Sequence, residues 1–263
     1  MADSLPLRAS RWLSRRVVPH RLELRGGTGV VSFTFDDAPM SACEAGAGVL
    51  ERHGARGTFY IAGGLTDRQE EGRLCHSADA LRTLLAAGHE LGAHSYAHVR
   101  CDLLPAAQLQ QELDRSDAFL AGFGVDLAEL DFAYPFGGYA LGAKRACGTR
   151  YRSSRITGGG THVGWADLDA LRCHRFYASQ PDGVPYTSRL AEAAQQGGWL
   201  VVNTHEVENA PGAYGCTPAE LDAAVAQALA AGCKVLPVGA ARRYWQAQQQ
   251  GQQQGPQQGQ GAA

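Results

Sequence analysis

"VSFTFDDAP", Val31 to Pro39, is the stretch on which the reading of this chain turns. A run of β-formers ends in two adjacent carboxylates, Asp36 and Asp37, followed by Ala38-Pro39. Like charges side by side repel, and neighbours on an ideal strand point to opposite faces. The two carboxylates can share a pocket only where the strand gives way to a loop, which Pro39 encourages. A bound dication would make the pair tolerable. It would also divide their work, one carboxylate as ligand and the other as a base for water. The plain alternative is a solvated Asp-Asp turn. An aspartyl-nucleophile phosphatase would want Asp-x-Asp at the strand end, which this stretch does not have.

Outward from this strand, β-like and helix-like stretches alternate. Strands are predicted over 29–35, 56–63, 89–95, 130–137, 150–156, 171–177, 199–207 and 233–239. Helices are predicted over 41–54, 77–88, 104–124, 140–147, 186–198 and 217–232. Ser41, Ser77 and Thr217 stand where N-caps belong, with Pro218 at a first helical position. Such repeats imply an α/β protein with a parallel sheet, and their number favours a distorted (β/α) barrel of seven or eight parallel strands. No GxGxxG follows the first strand, which removes the main support for a dinucleotide fold. The barrel is expected to span 28–245, after an N-terminal extension over 1–27. Residues 246–263 are Gln/Gly-rich and almost free of apolar side chains, so they are expected to form a disordered tail.

Composition excludes some partners. The chain has 263 residues, 44% hydrophobic and 19% charged, with a formal net charge of -2. That balance gives no electrostatic reason to expect nucleic acid or an anionic membrane. No run of about 18 apolar residues is present to span a membrane. The N-terminal stretch carries arginines without a signal-like apolar core, so a cytoplasmic location is the expectation. Seven widely spaced cysteines contain no CxxC pair, which points to reduced, buried thiols.

In a barrel, chemistry gathers at the C-terminal ends of the strands. Four of the predicted strand ends carry polar clusters: Asp36-Asp37, "AHSYAH" with His94 and His98, "YPFGG" from Tyr134, and "NTHE" with His205. His94 and His98 are spaced so that two imidazoles can share a cation. Two nitrogens and one carboxylate oxygen suit Zn²⁺, with Co²⁺, Ni²⁺ or Fe²⁺ as alternatives, and leave a position for water. Asn203 shares a strand face with His205 and is expected to line the pocket. Glu206 is expected at the surface. Tyr139, Tyr214 and Trp199 are expected to pack, and His53, His76, His89, His162 and His174 to be structural.

Taken in order, "FTFDDAP", "HSYAH", "FAYPFG" and "VVNTHEV" resemble the NodB-type polysaccharide deacetylases, carbohydrate esterase family four, over about residues 28–240. The resemblance implies a distorted barrel and metal-dependent hydrolysis of an N-acetyl or related amide. It implies Asp36 as general base, Asp37, His94 and His98 as metal ligands, His205 as general acid, and the backbone N–H of Phe136 at the oxyanion. Two departures stand out. Ala38 replaces a usual Gly, and Ala133 stands where the family carries an Arg that pairs with the base. Arg155, on the next strand, is placed to supply the missing cation. Tyr134, Pro135, Arg155 and Asn203 are thus the expected substrate pocket. A carbohydrate or small amide is the expected substrate. Hydrolysis of another non-peptide C–N bond in a small cyclic amide or ureide, or a non-catalytic glycan-binding barrel, are the competing readings.

Overall fold

The computed structural model describes residues 5–253 apart from 18, 71 and 179–182. The barrel strands are β1 (Val30–Asp36), β2 (Thr58–Ile61), β3 (Glu90–Ala93), β4 (Phe132–Ala133), β5 (Ser154–Gly159), β6 (Leu171–Arg175) and β7 (Trp199–Thr204). They pair in parallel in this order, and β7 pairs back to β1, from Trp199 opposite Val30 to Thr204 opposite Phe35. The ring is therefore a closed barrel of seven parallel strands. An eighth strand, β8 (Lys234–Val235), pairs with the lower end of β1 at Val30 and Val31. On that same side β2 pairs with the upper end, from Thr34 to Asp36. One side of β1 is thus shared by two strands at different heights, which distorts the barrel.

The helices are α1 (Leu5–Ser14), α2 (Ala47–Arg52), α3 (Ala78–Ala86), α4 (Ala106–Ala121), α5 (Leu141–Gly148), α6 (Tyr186–Gln196), α7 (Pro218–Ala230) and α8 (Val238–Gln253). Strand β1 shows how the layers form. Its side chains alternate, as the pleat requires. Val31, Phe33 and Phe35 belong to the larger core with Leu50 of α2, Leu190 and Ala193 of α6 and Leu221 of α7. Val30 belongs to a second core with Leu171, Cys173, Trp199 and Val201. Ser32 accepts from the Trp199 indole at 3.0 Å, and the Thr34 hydroxyl donates to the Val202 carbonyl at 2.8 Å. Val30, Ser32, Thr34 and Asp36 form one row, and Asp36 is its top.

Several boundaries differ from the sequence reading. Ser41 is itself helical and makes no cap bond, because helical backbone already begins before it, with Ala42 N–H donating to the Pro39 carbonyl, and continues through a wide turn, Ala42–Gly46, closed by Ala47 N–H on the Ala42 carbonyl. Its hydroxyl instead accepts from the Val207 N–H at 3.3 Å. Ser77 caps α3, and Thr217 with Glu220 forms a reciprocal capping box on α7. The strand expected over 130–137 shrinks to two residues because Phe136 and Gly137 are both left-handed.

The N-terminal region packs on the barrel. Arg21–Leu24 runs antiparallel to Gly164–Asp167, and Leu22 and Leu24 join Trp245 in the second core. The Lys144 ammonium of α5 donates to the carbonyls of Ser14 and Val17 and pairs with Asp167. In the Gln-rich region α8 continues to Gln253; the rest of the expected tail, 254–263, lies outside the described residues. All seven cysteines are buried and free. No helix among the described residues is long and apolar enough to cross a membrane.

Candidate active site

The C-terminal ends of the strands surround a cavity of about 280 Å³. Asp36, Asp37, His94, His98, Phe136 and His205 all line it. Residues separated by up to 169 positions thus meet at one rim.

The two adjacent carboxylates part because the strand ends between them. Asp36 is the last residue of β1, while Asp37 and Ala38 are left-handed, with φ of 60° and 47°. His76 steadies this turn. Its Nδ1 lies 3.0 Å from the Asp37 carbonyl, and its Nε2 lies 3.1 Å from the Thr66 hydroxyl. His76 has therefore more to do than fill the core, although its isolation in the sequence gives no sign of it. Ser95, His98 and Phe136 are also left-handed. Such conformations cost free energy for residues with a Cβ, and they cluster here around one cavity.

Asp37, His94 and His98 form a group whose ligand atoms all lie within 4.8 Å of one another. Asp37 Oδ1 is 3.2 Å from His98 Nε2 and 3.7 Å from His94 Nε2. Ligands held tetrahedrally about 2.1 Å from a zinc ion would lie about 3.4 Å apart. The His94 Nδ1 is tied to the Ala133 carbonyl at 2.8 Å, so its Nε2 faces the group with a lone pair. Burial pushes His94 down to about 3, against the pull of Asp36, so the ring is neutral and able to ligate. The donor set fits a borderline divalent metal.

Asp36 is held differently. Arg155, wholly buried, donates through Nη2 to both Asp36 oxygens. Burial alone would raise the Asp36 carboxyl, but Arg155, His94 and His205 outweigh it and hold it at about 2. The register explains how Arg155 gets there. Ala133 on β4 lies directly opposite Arg155 on β5. The cation that pairs with Asp36 thus comes from β5, at the height of Ala133 on β4.

His205 follows β7, with Nε2 3.9 Å from Asp37 Oδ2. Burial pushes it down, opposed by Asp36 and Glu206. It rests neutral, and once protonated it gives the proton up readily. Tyr177 and Tyr214 flank its ring at 5.7 and 5.5 Å. The Phe136 ring is 61% exposed and lies 4.6 Å from the His98 ring.

None of the four expected pocket residues reaches the wall, and Arg155 acts from behind Asp36. The Tyr134 ring points into the core against Phe132 and Tyr139. Pro135 is buried. Asn203 is buried and donates to the Tyr177 hydroxyl at 2.8 Å, so Tyr177 takes the place expected of it. Glu206, expected at the surface, is buried, because Gly212 donates to its carboxylate at 2.6 Å. Tyr214, expected to pack, lines the cavity, as do Glu70, Arg73, Thr157 and Arg175. Arg175 and Tyr177 close the 171–177 stretch, so the strand-end rule could have found them. Glu70 and Arg73 come from a loop hairpin with no such signal.

A thiol mechanism is not available. Cys75 lines the cavity beside His76, but burial, Asp37 and Glu70 push it up to about 12. It stays protonated and is a poor nucleophile.

Residues 24–150 match the family described as polysaccharide deacetylase. A chitin deacetylase from Arthroderma benhamiae is 28% identical over 93 residues, which is 35% of this chain and 24% of the relative. One from Colletotrichum lindemuthianum is 32% identical over 97 residues, 36% of this chain and 38% of the relative. The matched stretch therefore spans well under half of either relative. Among solved structures, BA3943, a CE4 family pseudoenzyme from Bacillus anthracis, is similar with a TM-score of 0.54 at 13% identity, covering 82% of this chain and 66% of that one. The shared fold includes a pseudoenzyme, so activity has to be argued from side chains.

Proposed function

We propose that this chain, whose residues 24–150 belong to the polysaccharide deacetylase family, is a metal-dependent hydrolase that removes an N-acetyl group from a carbohydrate substrate. The observation that carries the reading is one cavity lined both by Asp36, which a buried Arg155 pairs from behind, and by an Asp37–His94–His98 group. A binding module has no need of a base, an acid and a ligand set together.

A divalent cation held by Asp37, His94 and His98, with Zn²⁺ the best fit to the donor set, would polarise the amide carbonyl and acidify a water. Asp36 is placed to act as the base that takes a proton from the attacking water. Its pairing with Arg155 keeps it ionised and fixes its direction, at some cost in basicity. His205 delivers a proton to the departing amine, and its lowered proton affinity favours that transfer. The backbone N–H of Phe136, on the left-handed turn after β4, is the candidate donor to the developing oxyanion. Tyr177 and Tyr214 supply apolar faces against which a sugar ring can rest.

The test is metal analysis of the purified chain with acetate release from N-acetylated chitooligosaccharides. Stoichiometric zinc or a similar metal and measurable acetate are expected. Asp36→Asn is expected to lower kcat by about 100-fold or more while the metal stays bound. Metal without C–N hydrolysis on any acetylated sugar would overturn the carbohydrate assignment. An unchanged biological effect of Asp36→Asn would favour a binding role.

A further inference from the structure

We propose that Glu70 is a positioning residue for His98, and that Arg73 holds in place the hairpin that carries it. The proposal rests on the reading of His98 as a metal ligand. The His98 ring has two nitrogens with different tasks. Nε2 lies 3.2 Å from Asp37 Oδ1, inside the ligand group. Nδ1 lies 3.3 Å from Glu70 Oε1, on the far side of the ring. A ring nitrogen facing a carboxylate keeps its proton, which leaves the other nitrogen with a lone pair for a cation. The carboxylate also makes that lone pair a stronger donor.

His98 needs such a partner more than His94 does. His94 directly follows β3, and a main-chain carbonyl of β4 holds its Nδ1. His98 lies beyond the strand in a left-handed conformation, with its ring against Phe136 and His94. Glu70 reaches it from another element, the antiparallel pair Gln69–Glu70 and Arg73–Leu74.

That hairpin is tied down on its other strand. Arg73 Nε is 3.1 Å from Glu208 Oε1 and 3.3 Å from Glu206 Oε1. Glu206 is buried and fixed by the Gly212 N–H, in the loop that follows His205. Glu70, Arg73 and Glu206 all line the cavity. One continuous set of polar contacts therefore links the ligand His98 to the segment next to His205.

The experiment uses the full chain, stripped of metal and titrated with Zn²⁺ against a chromophoric chelator, beside absorption spectra of the Co²⁺-loaded forms. Wild type is expected to bind one equivalent. Glu70→Ala is expected to raise the Zn²⁺ Kd 10- to 100-fold. Glu70→Gln keeps an oxygen that accepts from Nδ1–H and should fall between the two. Arg73→Ala should shift Kd in the same direction by less. At saturating Co²⁺ the ligand-field bands of both Glu70 variants should move, because the His98 donor strength changes. A packing role alone would leave those bands in place. A Glu70→Ala Kd within twofold of wild type, or unmoved Co²⁺ bands, overturns the proposal while leaving the metal site standing. A wild-type chain that binds no Zn²⁺ overturns the metal reading itself.

Discussion

Arg155 and Asp36 form a buried ion pair at the rim of the site. Each is buried and each neutralises the other. Arg155→Ala would leave a carboxylate buried without its cation, a change that costs about 3 kcal/mol or more. Denaturant unfolding should show that loss. The double variant with Asp36→Asn should recover part of it, since no unpaired charge is then left. Asp36, Asp37, His94 and His205 could be placed on the rim because each stands at or just past the end of a run of β-formers, and His98 followed from its spacing to His94. Arg155 was legible only as a placement on the next strand. The register of Ala133 opposite Arg155 is long-range information, and no local pattern contains it. Ala38 shows a substitution the fold absorbs. Its φ of 47° is a glycine conformation, yet its methyl is wholly buried. Ala38→Val adds a β-branch at positive φ and should lower stability by about 2 kcal/mol, read from the unfolding midpoint.

Among the elements, the caps were readable where the side chain could act alone. Ser77 and Thr217 accept from main-chain N–H groups within their own helices. Ser41 was misread because its partner, Val207, is far away in sequence. The turn after β4 matters most for the site. Gly137 has φ of 63°, and a Cβ there would lie 2.0 Å from the Thr157 hydroxyl. The turn has no room to relax without moving Phe136. Gly137→Ala is therefore expected to lower both thermal stability and kcat, with a smaller loss of zinc affinity passed on through the Phe136–His98 ring contact. Zinc titration beside a melting curve checks this. The strand over 130–137 was overread for the same reason: β-formers signal extension, but two left-handed residues stop it.

At the scale of the whole molecule, the foot of the barrel encloses a carboxyl group. Asp131 is buried, accepts from Ser153 at 2.7 Å and lies 3.5 Å from Arg242 of α8. Burial, partly offset by Arg242, raises its carboxyl to about 6. The folded chain then holds a proton that the unfolded chain releases above about 3.8. Its contribution is fully present below pH 4 and is lost as pH rises to about 6. The size is about 3 kcal/mol. Wild type should lose roughly that amount of stability relative to Asp131→Asn as pH rises across the window, and urea unfolding at several pH values measures it. The alternation of elements announced the barrel, but not how it ends. Strand β8 pairs with two residues of β1 while the ring closes through β7. Closure and the C-terminal segment are thus separate bonds. Under native conditions the amides of Val235 and Leu236 should exchange with deuterium sooner than those of Val201 and Val202. Residues 234–253 would then lift off as a unit of their own while the ring stays shut.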